Sequence, residues 1–116
     1  MNVSRRLSSG IVVLDLSGQM TGLDAPGVMK EQVTAALSAG HRQIVLNLAK
    51  LSFVDSSFIG ELVTCCLVTS RAGGALKVAC PVRRVQELFV ITRLGTIIES
   101  FENEATAVES FFKPAN

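Results

Sequence analysis

The segment FVDSSFIG, residues 53–60, carries the side chains of this sequence that are best suited to chemistry. It places an acid, Asp55, directly before two hydroxyls, Ser56 and Ser57. A serine hydroxyl can attack a substrate, accept a phosphoryl group or cap a helix. The rest of the sequence has to decide among these three uses.

Catalytic uses lack the residues that they require. A nucleophilic serine needs a base, and the single histidine, His41, lies in a predicted turn, with no G-x-S-x-G motif in the chain. Three cysteines and one distant histidine do not supply a metal site. Gly22 and Gly27 have the spacing of P-loop glycines, but the lysine and hydroxyl that should follow are missing. We therefore expect no enzyme activity, no catalytic residue, no metal and no cofactor.

Composition restricts the class of protein further. The 116 residues suit one domain over 1–116, and the 48% hydrophobic content is typical of a globular protein. No apolar run reaches 18 residues and no secretory signal is present, so we expect no membrane span and a cytoplasmic location. The formal net charge is +1 and the charges are dispersed, which argues against nucleic acid as a partner.

Hydrophobic spacing predicts strands and helices in alternation. A Ser9-Gly10 turn followed by a β-branched run predicts an opening hairpin. The run Ile44–Leu48 has few polar interruptions, which predicts a central, largely parallel strand that is covered on both faces. Two shorter strands are predicted in ALKVAC, residues 75–80, and TIIESF, residues 96–101. The predicted order ββαβαβαβα indicates an α/β fold with helices packed against one sheet.

Four helices are predicted from caps and apolar stripes. Asp24 is the candidate N-cap of the first, with Pro26 in its first turn. The second covers Ser56–Arg71 and stops at a Gly73-Gly74 pair. Pro81 opens the third, which ends near residue 95, and residue Asn103 caps a fourth that carries Val108, Phe111 and Phe112.

The start of the second helix determines where the serines point. Asp55 is the better N-cap, because Val54 and Ile59 then form an apolar staple. With Ile59 at the centre of the stripe and about 100° per residue, Ser57 lies at about 160° and faces solvent, whereas Ser56 at about 60° leans inward. Phe58 lies at the edge of the stripe and is expected to be partly exposed.

Two interpretations of the serines remain open on these grounds. Capping and the turn itself account for all three polar residues without any further role. Alternatively, an exposed serine in the first helical turn is a good phosphate site, because free N–H groups and the helix dipole stabilise the charge. A phosphate of about −1.5 to −2 charges would reverse the sign of the net charge and expel a partner fitted to the hydroxyl.

The segments around this junction resemble the STAS domains, in particular the bacterial anti-sigma factor antagonists. The resemblance spans nearly the whole chain, with the D-S-S run as its most specific part and SGQMTGLDAPG, IVLNLAKLSFVDSS, RAGGALKVAC, PVRRVQELFVITRLGTII and NEATAVESFF as further segments. It implies a mixed sheet flanked by about four helices.

The resemblance also implies a function. The second serine of the D-S-S run, Ser57, corresponds to the family's phosphoacceptor for a partner that is both serine kinase and anti-sigma factor, and a phosphatase reverses the reaction. Asp55 corresponds to an acid that fixes the turn, and Asp24 to an acid of the partner-facing surface. We expect Asp24, Asp55, Ser56, Ser57 and Phe58 to form the partner-binding site, although Phe58 stands where the family usually has glycine.

One alternative keeps the fold and changes the role. In this second interpretation the chain is a constitutive subunit, similar to the STAS-type components of lipid ABC transporters or of stress-signalling assemblies. In that case Ser57 is a surface residue of the capped turn, and Phe58 belongs to a fixed interface.

Overall fold

The computed structural model describes residues 2–21 and 27–112. Its elements are β1 Asn2–Ser8, β2 Ile11–Met20, α1 Val28–Ser38, β3 Gln43–Val54, α2 Ser56–Arg71, β4 Ala75–Ala79, α3 Arg83–Thr92, a 3₁₀ turn Leu94–Thr96, β5 Ser100–Phe101 and α4 Glu104–Glu109. The predicted order of strands and helices is confirmed, and the second helix has the predicted ends.

The strands of this part of the chain form one mixed sheet in the order β1-β2-β3-β4-β5. The β1–β2 hairpin is antiparallel, and β2 to β5 run parallel to one another. β3 therefore lies in the middle, as predicted, and its residues 44–46 are fully buried. The strand predicted over TIIESF is wrong in length, because Leu94–Thr96 winds into a 3₁₀ turn and only Ser100–Phe101 pairs with β4.

The two faces of the sheet are covered unequally. The larger apolar cluster packs α1, α2 and α3 on one face, and it includes Leu14, Met29, Val33, Leu46, Phe58, Leu62, Val85 and Phe89. The smaller cluster packs α4 on the other face, and its members are Ile11, Val13, Val45, Ala79, Ala107 and Val108. Strand side chains alternate between these two clusters, as the two-residue period of a strand requires.

Polar contacts attach α4 to the second face. The Asn103 side chain accepts a hydrogen bond from the Thr106 N–H group at 2.8 Å, which confirms the predicted cap. Arg6 of β1 donates to Asp15 Oδ2 at 2.7 Å and also binds the Glu104 carboxylate. These hydrogen bonds from Arg6 hold the pKa of Glu104 below its ordinary value. The arginine thus ties the hairpin to the first turn of α4.

A lysine completes this second face. Lys77 of β4 is 8% exposed, and its ammonium donates to Ser110 Oγ at 2.7 Å and lies 4.3 Å from the centre of the Phe111 ring. A hydrogen bond and a cation–π contact offset part of the cost of burying the charge. The predicted helix through Phe112 is too long, because α4 ends at Glu109 and Phe111 packs from the turn that follows.

The turn from α2 to β4 brings two backbone segments into close approach. Gly73 has a φ of 83°, which confirms the predicted stop. A Cβ on Gly74 would lie 2.2 Å from the carbonyl oxygen of Arg42. The same oxygen accepts a hydrogen bond from the Ala75 N–H group at 2.8 Å, at the point where β3 and β4 begin to pair. Only glycine fits at position 74.

Gly74→Ala should lower the free energy of unfolding by about 1–3 kcal/mol, because the added methyl forces two backbone segments apart. The matched control is Gly60→Ala in α2, where a Cβ meets nothing within 4 Å. That change should raise stability by about 0.5–1 kcal/mol, since alanine is the better helix former. Urea denaturation measures both. A Gly74→Ala protein as stable as the parent would show that the close approach is wrong.

Candidate functional site

Asp55 sets the junction between β3 and α2. Its backbone is extended, with φ −119° and ψ −173°, and its Oδ1 atom accepts a hydrogen bond from the Ser57 N–H group at 2.9 Å. The Phe58 N–H group then donates to the Asp55 carbonyl at 3.1 Å, which starts the helical pattern. The predicted N-cap is confirmed, and one otherwise unpaired N–H group at the helix start is satisfied.

Both serines of the junction are exposed to solvent. The prediction for Ser57 is confirmed, whereas the prediction that Ser56 leans inward is wrong. The buried stripe of α2 consists of Phe58, Leu62, Cys65 and Thr69. At about 100° per residue, Ser56 lies about 150° and Ser57 about 110° from the centre of that stripe. Ser56 points outward, and Ser57 lies on the flank of the helix.

Phe58 belongs to the core. It is 2% exposed and lies in the cluster beneath α1 and α2, so the prediction of a partly exposed ring is wrong. Buried inside, the ring cannot be a surface contact of the partner-binding site. The predicted stripe was offset by one residue because Ile59, Val63 and Cys66 are apolar as well, although they are only partly buried. Apolar spacing in α2 therefore fits two faces of the helix.

Thr69 is the polar member of the buried stripe. Its hydroxyl donates to the Cys65 carbonyl one turn earlier, at 2.8 Å, so no polar atom is left without a partner. This hydrogen bond within the helix allows a threonine to occupy a core position. A search for apolar residues alone could not have assigned it there.

Phe53 is an exposed aromatic residue close to the serines in the sequence. It lies two residues before Asp55, pairs with Gln19 of β2, and is 55% exposed. Val54, the next residue, is 3% exposed and faces the core, so strand alternation turns Phe53 to the other face. The sequence contains this signal, but the predicted strand ended at Leu48 and did not reach it.

Glu61 is an acid one helical turn after Ser57. Its Oε1 atom is buried and accepts no hydrogen bond within the described residues. Burial raises the pKa of the Glu61 carboxyl, and the N–H groups of Lys30 and Gly27 at the start of α1 counteract this. Residues i and i+4 of a helix are neighbours, so a negative group on Ser57 would lie close to this carboxylate.

Asp24 lies outside the described residues. Its predicted role as the N-cap of the first helix is wrong, because α1 starts at Val28 and its N-cap is Gly27, with φ 80° and no side-chain hydrogen bond. Asp24 remains a predicted member of the partner-facing surface. Of the predicted site residues, Asp55, Ser56 and Ser57 are brought together at the surface.

Other reactive groups do not gather around this junction in the described residues. Burial raises the pKa of Cys65 to about 12, which leaves its thiol protonated at neutral pH. No three His, Cys, Asp or Glu side chains in residues 2–21 and 27–112 are placed to hold a metal ion. None of the helices in this part of the chain combines the length and apolar character needed to cross a bilayer.

Comparison with known proteins identifies the family whose model this chain matches. The model of the STAS domain family matches residues 2–107. A Thermotoga neapolitana protein named as an anti-sigma factor antagonist homologue is 29% identical over 73 residues, which are 63% of this chain. The aligned part covers 65% of the length of this curated relative.

Two solved structures share the fold. A Thermotoga maritima protein named as an anti-sigma factor antagonist superposes with a TM-score of 0.86 at 20% identity, covering 96% of this chain and 95% of that one. The phosphorylated form of the Bacillus cell fate determinant SpoIIAA superposes with a TM-score of 0.72 at 20% identity, covering 95% and 99%. The predicted α/β fold, a mixed sheet flanked by helices, is confirmed.

Asp55→Ala should lower the free energy of unfolding by about 1 kcal/mol, because the Ser57 N–H group loses its acceptor. Asp55→Asn should cost a few tenths of a kcal/mol, about the difference between two good N-caps, since its side-chain oxygen still accepts. Urea denaturation compares the two variants. Equal losses would show that the carboxylate charge, and not the cap, stabilises this turn.

Phe58→Ala should lower the free energy of unfolding by about 3–5 kcal/mol, because it leaves a cavity under α2. Phe53→Ala, which removes the same ring from an exposed position, should change it by about 0.5 kcal/mol or less. Thermal and urea denaturation measure both. Similar small effects at the two positions would contradict the buried placement of Phe58.

Proposed function

Because this chain belongs to the STAS domain family, we propose that it is an anti-sigma factor antagonist that is switched by phosphorylation of Ser57. Unphosphorylated, it binds a kinase that is also the anti-sigma factor, and so frees the sigma factor in the bacterial cytoplasm. The observation that carries this proposal is the exposed hydroxyl of Ser57, held in the first turn of α2 directly after the capping Asp55.

Exposure is common to Ser56 and Ser57, so the choice between them rests on the D-S-S resemblance. The relatives support the proposed class, since two are named as anti-sigma factor antagonists and the SpoIIAA structure is of a phosphorylated form. The cap also supports it, because it fixes the backbone of Ser57 in one place. A kinase can then approach a hydroxyl of defined position.

The phosphoryl transfer belongs to the partner in this proposal. The Ser57 hydroxyl attacks the γ-phosphorus of ATP bound to the kinase, its proton passes to a kinase base, and ADP leaves. The product is a phosphoserine of about −1.5 to −2 charges on a chain whose formal charge is +1. A phosphatase hydrolyses the ester and restores the hydroxyl. The STAS domain itself supplies the acceptor and catalyses nothing.

The charges around Ser57 explain why the modification would matter. The helix start favours the phosphate, because α2 has no acidic residue in its first turn and the dipole is positive there. Asp55 and Glu61 lie before and after it along the chain, so the dianion joins two acids and stays strongly hydrated. A partner fitted to a neutral hydroxyl would have to strip that water, at a cost that the contact cannot recover.

The partner-binding surface in this proposal consists of Ser56, Ser57 and the acid Asp24, with Asp55 holding the turn. Phe58 is not part of this surface, because its ring is buried.

Incubation with the candidate kinase and ATP should place one phosphate on Ser57, and peptide mass spectrometry should locate it there. Ser57→Ala should abolish the modification, and Ser56→Ala should retain it. The phosphorylated protein and Ser57→Asp should bind the kinase at least about tenfold more weakly than the parent, which is about 1.4 kcal/mol. Ser57→Ala should bind like the parent.

The switch is wrong if no phosphate reaches either serine and if Ser57→Ala and Ser57→Asp bind alike. That result would favour the constitutive-subunit alternative. Phosphate on Ser56 instead would support a phosphorylation switch but would show that Ser56, and not Ser57, is the phosphorylated residue.

A further inference from the structure

Glu61 is a half-buried acid on the flank of α2 that carries Ser57. At about 100° per residue, Glu61 and Ser57 lie about 40° apart around the helix axis, on the same side of the buried stripe. Ser56 lies about 140° from Glu61, on the other side of the stripe. A charge on Ser57 therefore lies at the spacing of helical neighbours from Glu61, about 5–6 Å between Cβ atoms, whereas a charge on Ser56 points away from it.

This flank of α2 faces the first turn of α1. β2 and β3 are parallel neighbours, and α1 and α2 follow them in the chain, so both helices start at the same edge of the sheet. The Glu61 carboxylate interacts with the N–H groups of Lys30 and Gly27 and with the ammonium of Lys30. The opposite flank of α2, which includes Cys66, borders a cleft together with residues of β4.

The N-cap residue of α1 offers no side-chain acceptor to the helix start. It is Gly27, and the first hydrogen bond of the helix runs from the Glu31 N–H group to the Gly27 carbonyl at 2.9 Å. The N–H groups before that one are those that a capping side chain ordinarily satisfies, and Lys30 at the third helical position carries one of them. Glu61 supplies a carboxylate to this position from the neighbouring helix.

Opposing effects act on the Glu61 carboxylate. Its Oε1 atom is buried and accepts no hydrogen bond from the described residues, and burial raises the pKa of the carboxyl. The start of α1 and the Lys30 ammonium favour the charged form, while the charge of Glu31 opposes it. The Cys65 thiol nearby is protonated at neutral pH and adds no charge. A further negative charge on the same flank would act against the carboxylate.

We infer that Glu61 couples the charge on Ser57 to the start of α1. While Ser57 is a hydroxyl, the carboxylate holds the first turn of α1. A phosphate on Ser57 repels the carboxylate, which takes up a proton or turns to solvent, and the first turn of α1 loosens. The edge of the sheet where both helices start then changes beyond Ser57 itself. The inference rests on the proposed function for the phosphate, whereas the hold of Glu61 on α1 exists without it.

Hydrogen exchange followed by NMR should report the hold of Glu61 on α1. In Glu61→Ala the amide protons of Lys30 and Glu31 should exchange about fivefold faster than in the parent, which is the factor expected for a lost cap. Glu61→Gln keeps an acceptor oxygen and loses the charge, so it should give a smaller increase. Glu87→Ala is the matched control, since it removes a half-exposed acid of α3, and it should leave both rates unchanged.

Ser57→Asp should act on α1 through Glu61. It should raise the exchange rates of the Lys30 and Glu31 amides about twofold. It should also raise the pKa of the Glu61 carboxyl, measured by carbon-13 NMR, because a like charge disfavours ionisation. Ser56→Asp adds the same charge to the same turn on the other side of α2 and should change neither quantity. In a Glu61→Gln background, Ser57→Asp should have no further effect on α1.

Three results would each overturn the coupling: unchanged exchange in α1 of Glu61→Ala, equal effects of Ser57→Asp and Ser56→Asp, or an effect of Ser57→Asp that persists in full without the Glu61 charge. Far-UV circular dichroism should show each variant folded. If the Glu61 variants unfold, the comparison of the two serine variants decides the matter alone. The kinase test is independent, because a Ser57 that receives no phosphate would overturn the switch and leave the response to Ser57→Asp intact.

Discussion

The hydrogen bond between the Ser57 N–H group and Asp55 Oδ1 fixes the place where β3 ends and α2 begins. Once the first turn starts at Ser56, a period of 3.6 residues assigns every later side chain of α2 to a face. Phe58 and Leu62 turn to the sheet, and the two serines turn to solvent. The phase of the helix and the exposure of the candidate site thus have one cause.

Two further constraints hold this turn in place. Residues 44–46 of β3 are buried on both faces, so this part of the strand cannot move without disturbing both apolar clusters. After α2, the close approach of Gly74 to Arg42 returns the chain to β4, which pairs with β3. The junction therefore lies between a strand whose first half is covered on both faces and a helix whose far end is also fixed. A hydroxyl on this junction is presented by a rigid support.

Much of the fold was predictable because local signals and the global arrangement agree. The Ser9-Gly10 turn, the buried run in β3, the Asp55 cap and the Asn103 cap each have a short-range physical cause. The predictions that were wrong concern features that the local spacing of residues does not determine. The apolar residues of α2 fit two stripes, and only packing beneath α1 selects the one that includes Phe58 and Thr69. The length of β5 likewise depends on the 3₁₀ turn that buries Leu94.

Phe58 stands where the family pattern usually has glycine. The burial of its ring determines how this difference affects the surface around Ser57. A ring directed outward beside Ser57 would obstruct any enzyme that has to reach the hydroxyl. With the ring in the core, the exposed residues next to Ser57 within α2 include the small residues Ser56 and Gly60. The substitution therefore enlarges the core beneath the helix and leaves the outer surface of the D-S-S turn as small and polar as the family pattern has it. The cap at Asp55 therefore holds the Ser57 backbone at a surface that the Phe58 ring does not reach.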